Sequence, residues 1–122
     1  MTSVVPRVRA SVRSALEEWD VSPERTEALV LAVTELVSNA IRHVDVMAGR
    51  LRVTVTFSRG WLQLDVADGD PRLPRIGLDA DMEAESGRGL MILGFLACEA
   101  GGELAAFRTG PGKVVRVRVP AT

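Results

Sequence analysis

Three polar side chains recur at four-residue intervals along an otherwise apolar segment: Glu35, Asn39 and His43. On an α-helix each such step turns the position by only about 40°, so the three side chains would line one stripe. A carboxylate can take up a proton or order a water molecule, and an amide oxygen is a ligand that Mg²⁺ accepts. The stripe is therefore either a partly solvated helix edge with ordinary polar residues, or a carboxylate, an amide and an imidazole that face a polar ligand.

Another carboxylate, Asp68, ends a segment in which apolar and polar residues alternate. The alternation places it on the same face as Leu62, Leu64 and Val66, the apolar face that would pack against helices. A carboxylate entering the space between two layers needs a hydrogen-bond donor, and the exocyclic amine of adenine would be one. Alternatively, Asp68 simply starts the turn Asp68-Gly69-Asp70-Pro71.

A glycine-rich motif, Gly87-Arg88-Gly89, leads directly into a third apolar segment that starts with Leu90. Glycines before a helix leave backbone N–H groups accessible, and a helix N-terminus favours anions. The guanidinium of Arg88 adds a charge suited to phosphate. The same pattern also occurs where a helix begins after glycine for steric reasons alone.

Hydrophobic periodicity predicts the elements that must position these residues. Apolar residues three and four positions apart predict helices, and Ser22-Pro23 has the N-cap and first-turn proline expected at a helix start. Alternation with a period of two predicts strands, the first two joined by a turn at 58–60. The predicted helices are 7–19, 23–43 and 89–98, and the predicted strands are 51–57, 62–68, 103–108 and 113–119.

The segment 69–88 is rich in glycine, proline and acidic residues, which predicts a loop of roughly 20 residues. Loops of that length are usually functional or mobile. Strands of alternating polarity indicate a sheet with one face covered by helices and the other wet. The predicted fold class is α+β, a two-layer sandwich of a mostly antiparallel sheet covered on one face by three helices, with 1–122 as one domain.

The chain has 122 residues, 47% of them hydrophobic, and a formal net charge of −1. This balance argues against nonspecific nucleic-acid or membrane binding, both of which favour a basic domain. No apolar run of about 18 residues and no apolar segment near Met1 are present, so neither a transmembrane helix nor a signal peptide is predicted, and a cytoplasmic protein is expected. One histidine and one cysteine exclude a multi-histidine metal site and an internal disulfide, and Cys98 is expected in the core.

In this order, the motifs Glu35–His43, Val66–Asp68 and Gly87–Leu90 resemble the ATP-binding domain shared by gyrase, histidine kinases and heat-shock chaperones, with its Bergerat-type fold. The resemblance is closer to the small anti-sigma-factor serine/threonine kinases of actinobacteria and bacilli. The stretches 34–40 and 71–74 are particularly similar to the actinobacterial branch.

The resemblance implies a role for each matched residue. Glu35 matches the family's general base, and Asn39 matches its Mg²⁺ ligand. Asp68 matches the aspartate that binds the adenine amine. Gly87, Gly89 and Leu90 match the second glycine motif beside the phosphates, after a loop that acts as an ATP lid. Arg88, from its charge, and His43, from its place on the α-helical stripe, are also expected beside the nucleotide.

The resemblance further implies an ATP- and Mg²⁺-dependent serine/threonine protein kinase that also acts as an anti-sigma factor. Its substrate would be an anti-sigma-factor antagonist, and its second partner would be a sigma factor; neither nucleic acid nor membrane is expected to bind directly. The alternative is a regulatory module without kinase activity that switches partners by nucleotide state. Family resemblance also implies a homodimer.

The chain departs from the family's pattern at three places. The first glycine box, Asp-x-Gly-x-Gly in the superfamily, is Asp68-Gly69-Asp70-Pro71-Arg72 here. The family's Gly-Lys-Thr near the C-terminus is Gly112-Lys113-Val114, so a hydroxyl that could help in the pocket is missing. The family's extra strand before the first helix has little room ahead of Pro6, and the sheet edge left open could pair with another chain.

Alternation also turns Arg52, Arg116 and Arg118 to the uncovered face of the predicted sheet, where Asp65 is the acidic residue expected to offset them. This face is either merely solvated or a docking surface for an acidic segment of a partner protein.

Overall fold

The computed structural model describes residues 4–43, 51–74 and 85–122 and shows the predicted α+β architecture. The helices within these ranges are α1 (Val4–Glu18), α2 (Pro23–His43) and α3 (Glu85–Glu99). The strands are β1 (Arg52–Ser58), β2 (Trp61–Asp68), β3 (Glu103–Thr109) and β4 (Gly112–Pro120). None of the described helices is both long and apolar enough to cross a membrane.

The strands form one antiparallel sheet in the order β1-β2-β4-β3. Each hairpin is closed by a two-residue turn, Arg59-Gly60 in the first and Gly110-Pro111 in the second. Arg59 and Gly60 both have positive φ, 54° and 81°, which is typical of the turn whose twist matches that of paired strands. The central β2–β4 pair joins the two hairpins and makes Asp68 and Lys113 direct neighbours across the sheet.

The helices cover one face of the sheet, with the core between the two layers. α2 packs over β2, α1 lies beside α2 near β1, and α3 packs on β3 and β4. Trp19, just after α1, contacts Phe57 of β1 with the ring centroids 6.0 Å apart. The largest fully buried side chains are Leu16, Leu29, Val33, Val37, Leu62, Leu64 and Val66.

Both α1 and α3 begin earlier than periodicity predicts. α1 starts at Val4 because Val4 and Val5 pack against the core. α3 starts at Glu85, so Gly87-Arg88-Gly89 lies in its first turns instead of leading into it. A glycine inside a helix costs about 1 kcal/mol relative to alanine, and this cost does not stop the helix here.

The prediction that Cys98 is buried is wrong, because the side chain is exposed. The buried positions of α3 are Leu90, Leu93 and Ala97. The residue after Ala97 is turned by about 100° around the helix axis and therefore faces solvent.

Candidate functional site

The stripe predicted on α2 lies beside the face of the helix that packs into the core. Leu36, Val37 and Ala40 are in the core, whereas Glu35 and Asn39 are half-buried. Side chains four positions apart on a helix stack on one face, so the carboxylate and the amide are presented together. His43 is the last residue of α2, and its side chain lies outside the described part of the chain.

Glu35 is in contact with the first turns of α3. A Cβ atom built on Gly89 would lie 2.7 Å from Glu35 Oε2, closer than side chains approach one another. Glycine at this position therefore lets the backbone of α3 come against the carboxylate of α2. The structure thus brings together the first and the third motif, as the resemblance implies.

Asn39 carries an unpaired polar atom. Its Oδ1 is buried and, among the described residues, accepts no hydrogen bond. A buried acceptor without a partner costs about 1–3 kcal/mol, so an oxygen left in this state is suited to a donor or a cation brought by a ligand.

The donor set fits Mg²⁺ only when the ligand contributes oxygens. Residues 4–43, 51–74 and 85–122 hold no group of three or more His, Cys, Asp or Glu side chains that could bind a metal ion by themselves. Mg²⁺ in nucleotide sites typically takes one or two protein oxygens and completes its shell with water and phosphate. The Oδ1 of Asn39 fits that pattern.

Asp68 ends β2 with its side chain 2% exposed. One oxygen, Oδ1, accepts hydrogen bonds from the backbone N–H of Asp70 at 2.8 Å and from Nζ of Lys113 at 3.0 Å. The carboxylate therefore receives a backbone hydrogen bond from the segment that follows β2, and it also has a donor on the inner face of the sheet. The donor that the chain itself supplies is a lysine.

Lys113 is the functional candidate that sequence reasoning missed. The pairing Asp68↔Lys113 puts its side chain on the inner face of the sheet, and Ala67↔Val114 puts Val114 on the outer face. The residue that lies beside Asp68 on the inner face is therefore Lys113 and not Val114. The available signal was a lysine in an inward position of a strand whose other inward residues are valines.

The backbones of β2 and β4 are unusually close at this end of the sheet. A Cβ atom on Gly112 would lie 2.0 Å from the carbonyl oxygen of Asp68, which no side chain could tolerate. Glycine is thus required at position 112, directly before Lys113, because the main chain of Asp68 leaves no room for a side chain there.

The first residues after β2 are held in place by hydrogen bonds. Asp70 is 9% exposed, and its carboxylate accepts hydrogen bonds from the backbone N–H and the guanidinium of Arg72 at 2.8–3.1 Å. These bonds hold the pKa of Asp70 well below its usual range. Arg108 Nε donates to the carbonyl oxygen of Pro71 at 3.2 Å, so the start of the predicted lid is fixed to β3.

The other predicted site residues are described by the structure only in part. Leu90 is 3% exposed, so its side chain belongs to the core and only its backbone can face a ligand. The backbones of Gly87 and Arg88 lie in the first turn of α3, and the side chain of Arg88 is outside the described part. The predicted lid residues 75–84 are likewise outside it.

Comparison with protein families and solved structures is consistent with this geometry. A family model described as a histidine kinase-like ATPase domain matches residues 2–119. A search of curated proteins found no match. Similar solved structures include the Erythrobacter litoralis EL346 blue-light activated histidine kinase, with a TM-score of 0.66, 22% identity, and 92% of this chain and 40% of that chain covered.

Two further structures share the fold. The Acinetobacter baumannii histidine kinase AdeS has a TM-score of 0.63 and 18% identity, with 80% of this chain and 47% of that chain covered. The histidine kinase domain of the E. coli osmosensor EnvZ has a TM-score of 0.51 and 21% identity, with 78% and 65% covered. The chain thus spans less than two thirds of the length of each of these structures.

Proposed function

The chain belongs to the family of histidine kinase-like ATPase domains, and from that premise we propose that it binds ATP between α2 and the β2–β4 end of the sheet. The adenine amine donates to Asp68, and the phosphates lie near the start of α3, where backbone N–H groups favour anions. The observation that carries the proposal is the buried Oδ1 of Asn39, which has no hydrogen-bond partner among the described residues and shares an edge of α2 with Glu35.

Asn39 would hold Mg²⁺ through this oxygen. Mg²⁺ neutralises phosphate charge and orients the phosphates during phosphoryl transfer. The protein's own contribution is then to position the nucleotide and to keep a proton acceptor beside the phosphates.

We propose further that the reaction is serine/threonine phosphorylation, with Glu35 as the general base. Its carboxylate takes the proton of a serine hydroxyl while the serine oxygen bonds to the γ-phosphorus of ATP, the bond to the bridging oxygen breaks, and ADP leaves. Phosphoryl transfer depends on positioning and charge stabilisation more than on covalent chemistry. The contact between Glu35 and the backbone of Gly89 supports this role, because it puts the base at the start of α3.

The partners we propose rest on the sequence resemblance. The protein substrate is an anti-sigma-factor antagonist, and the second partner is a sigma factor held away from RNA polymerase. We also propose a homodimer and a cytoplasmic location.

Phosphate transfer from γ-labelled ATP to antagonist proteins encoded near the gene tests the proposed activity. Wild type should label one of them on a serine or threonine. Glu35→Gln keeps the side chain's shape but cannot take up a proton, so transfer should fall about 10²–10⁴-fold while ATP binding is retained.

The matched control is Glu24→Gln, in the first turn of the same helix and exposed, which should leave transfer unchanged. Wild-type transfer rates in Glu35→Gln would exclude Glu35 as the base. Nucleotide binding by wild type without transfer to any antagonist would favour the regulatory module that lacks kinase activity.

A further inference from the structure

Lys113 is the sole lysine of the chain and lies on the core side of the sheet. It is 6% exposed, on a strand whose other inward residues, Val115, Val117 and Val119, belong to the hydrophobic core. Burying an ammonium group is costly unless it is paired and hydrogen-bonded, and a buried ion pair is often no more stabilising than apolar residues of similar size. Its presence therefore calls for a function besides stability.

The hydrogen bonds of Lys113 leave capacity for a ligand. An ammonium group has three hydrogens to donate. Among the described residues, one goes to Asp68 Oδ1 at 3.0 Å and one to the carbonyl oxygen of Asp70 at 3.1 Å. The third has no acceptor within that part of the chain.

The position of Lys113 relative to Asp68 is fixed by the sheet. The two residues are paired across β2 and β4 on the face toward the helices, and the neighbouring Gly112 has no room for a side chain against the main chain of Asp68. Asp70 is engaged by Arg72, so the carboxylate that neutralises Lys113 is that of Asp68. Any group that donates to Asp68 from between the layers must also lie beside the ammonium.

We infer that Lys113 is a specificity-determining residue that donates to N1 of the adenine ring; the inference rests on the proposed ATP site. Adenine carries its exocyclic amine, a donor, on the carbon next to N1, an acceptor. Oδ2 of Asp68 can accept from that amine, and the third hydrogen of Lys113 can be donated to N1. The two side chains are joined at 3.0 Å through Asp68 Oδ1, so they would meet a neighbouring donor and acceptor on one base edge. Guanine and hypoxanthine present the opposite pattern, an oxo group beside a protonated N1. Their oxo acceptor would then face the Asp68 carboxylate, and their N1–H donor would face the Lys113 ammonium.

Calorimetric titration of the whole chain with ATP, 1-deaza-ATP and 7-deaza-ATP, all with Mg²⁺, tests the inference. 1-Deaza-ATP replaces N1 by a carbon, and 7-deaza-ATP changes the opposite edge of the purine. Wild type should bind 1-deaza-ATP about 10- to 100-fold more weakly than ATP, the weakening expected when a hydrogen bond from a charged donor is removed. It should bind 7-deaza-ATP nearly as well as ATP.

Two variants, measured with ATP and 1-deaza-ATP, extend the comparison. Lys113→Met should bind ATP and 1-deaza-ATP with equal affinity. The control, Arg116→Met, removes a cation of the same strand that faces outward and pairs with Asp65, and it should keep the wild-type ratio. If Lys113→Met does not fold, the wild-type comparison of the two analogues still decides.

The results of these titrations distinguish a failure of the role inferred for Lys113 from a failure of the proposed ATP site. Equal wild-type affinity for ATP and 1-deaza-ATP, or equal weakening with the two deaza analogues, overturns the role of Lys113 and leaves the ATP site standing. No binding of any of the three nucleotides overturns both.

Discussion

Asp68 forms a buried ion pair with Lys113 in addition to the adenine contact proposed for it. Its side chain is 2% exposed and that of Lys113 is 7% exposed, so neither charge is screened by water. Removing one partner of such a pair leaves the other charge buried and unpaired, whereas replacing both by apolar groups is often neutral or stabilising. Because of the ion pair, Asp68→Ala would affect the stability of the fold as well as the proposed adenine contact.

We therefore expect Asp68→Ala to lower the free energy of unfolding by about 3–5 kcal/mol. Asp68→Leu combined with Lys113→Met should recover most of that stability, because no charge is then left behind. Urea unfolding measures both values. An unchanged free energy in Asp68→Ala would mean that the two charges are not paired in the folded protein.

At the scale of elements, the first turns of α3 are built around the contact with α2. Glycine at position 89 has a low helix propensity, but it lets the backbone of α3 lie against the carboxylate of Glu35. The atom in the way of a larger residue is the far end of a flexible side chain, so the fold can adapt to a substitution by moving Glu35. Gly94, in the same helix, has room for a side chain, because a Cβ there would lie 3.6 Å from Leu104 Cδ2.

This difference gives a paired prediction for the two glycines. Gly89→Ala and Gly94→Ala should each stabilise α3 by up to about 1 kcal/mol. Only Gly89→Ala displaces the proposed base, and a displacement of about 1 Å can cost roughly 10²-fold in rate. Thermal unfolding and phosphate transfer, measured on both variants, check this, and equal transfer rates in the two would show that the Glu35 contact has no part in catalysis.

Most elements could be predicted from local patterns, because alternation and helical spacing reflect which side faces the core. The start of α3 could not, since Gly87 and Gly89 favour a break locally and the helix is held through them by its contact with α2. Lys113 could not be connected to Asp68 either. Their pairing depends on the register between two strands whose residues lie 45 positions apart, and a shift of one residue would turn the side chain to the other face.

The candidate site, like the fold, could be predicted from the sequence only in part. Glu35, Asn39 and Asp68 were identifiable from residue type, spacing and resemblance. That Oδ1 of Asn39 is buried without a partner among the described residues is a property of packing between layers, and no sequence pattern contains it.

On the scale of the whole molecule, the uncovered face of the sheet is less basic than alternation implied. Arg116 forms two hydrogen bonds with Asp65, at 2.8 and 3.0 Å, which raise the pKa of Arg116. Arg118 lies over the ring of Trp61, 4.1 Å from its centroid. The expectation that Asp65 is the one acidic residue on this face is wrong, since Glu103 lies directly opposite Arg118 in the register of β3 and β4 and therefore on the same face.

A docking role for this face predicts a kinetic effect. Arg116→Glu with Arg118→Glu should slow association with a sigma factor or antagonist, most strongly at low salt, and leave ATP affinity unchanged. Arg7→Glu with Arg9→Glu, on exposed positions of α1, makes the same charge change on the other layer and should have little effect. Surface plasmon resonance at two salt concentrations gives the rates, and equal rates in wild type and the sheet variant would mean that the face is merely solvated.

The polar edge of α2 is proposed to hold ATP together with Mg²⁺, and this can be measured by calorimetric titration with ATP in Mg²⁺ and in EDTA. Wild type should bind ATP more tightly with Mg²⁺, by about 10- to 100-fold if Asn39 supplies one charge-assisted interaction to the ion. Asn39→Ala should bind ATP equally well in Mg²⁺ and EDTA, while Ser38→Ala, half-buried one position away, should keep the wild-type difference. Wild-type affinity that is the same in Mg²⁺ and EDTA, or an Asn39→Ala variant indistinguishable from wild type, would contradict the account.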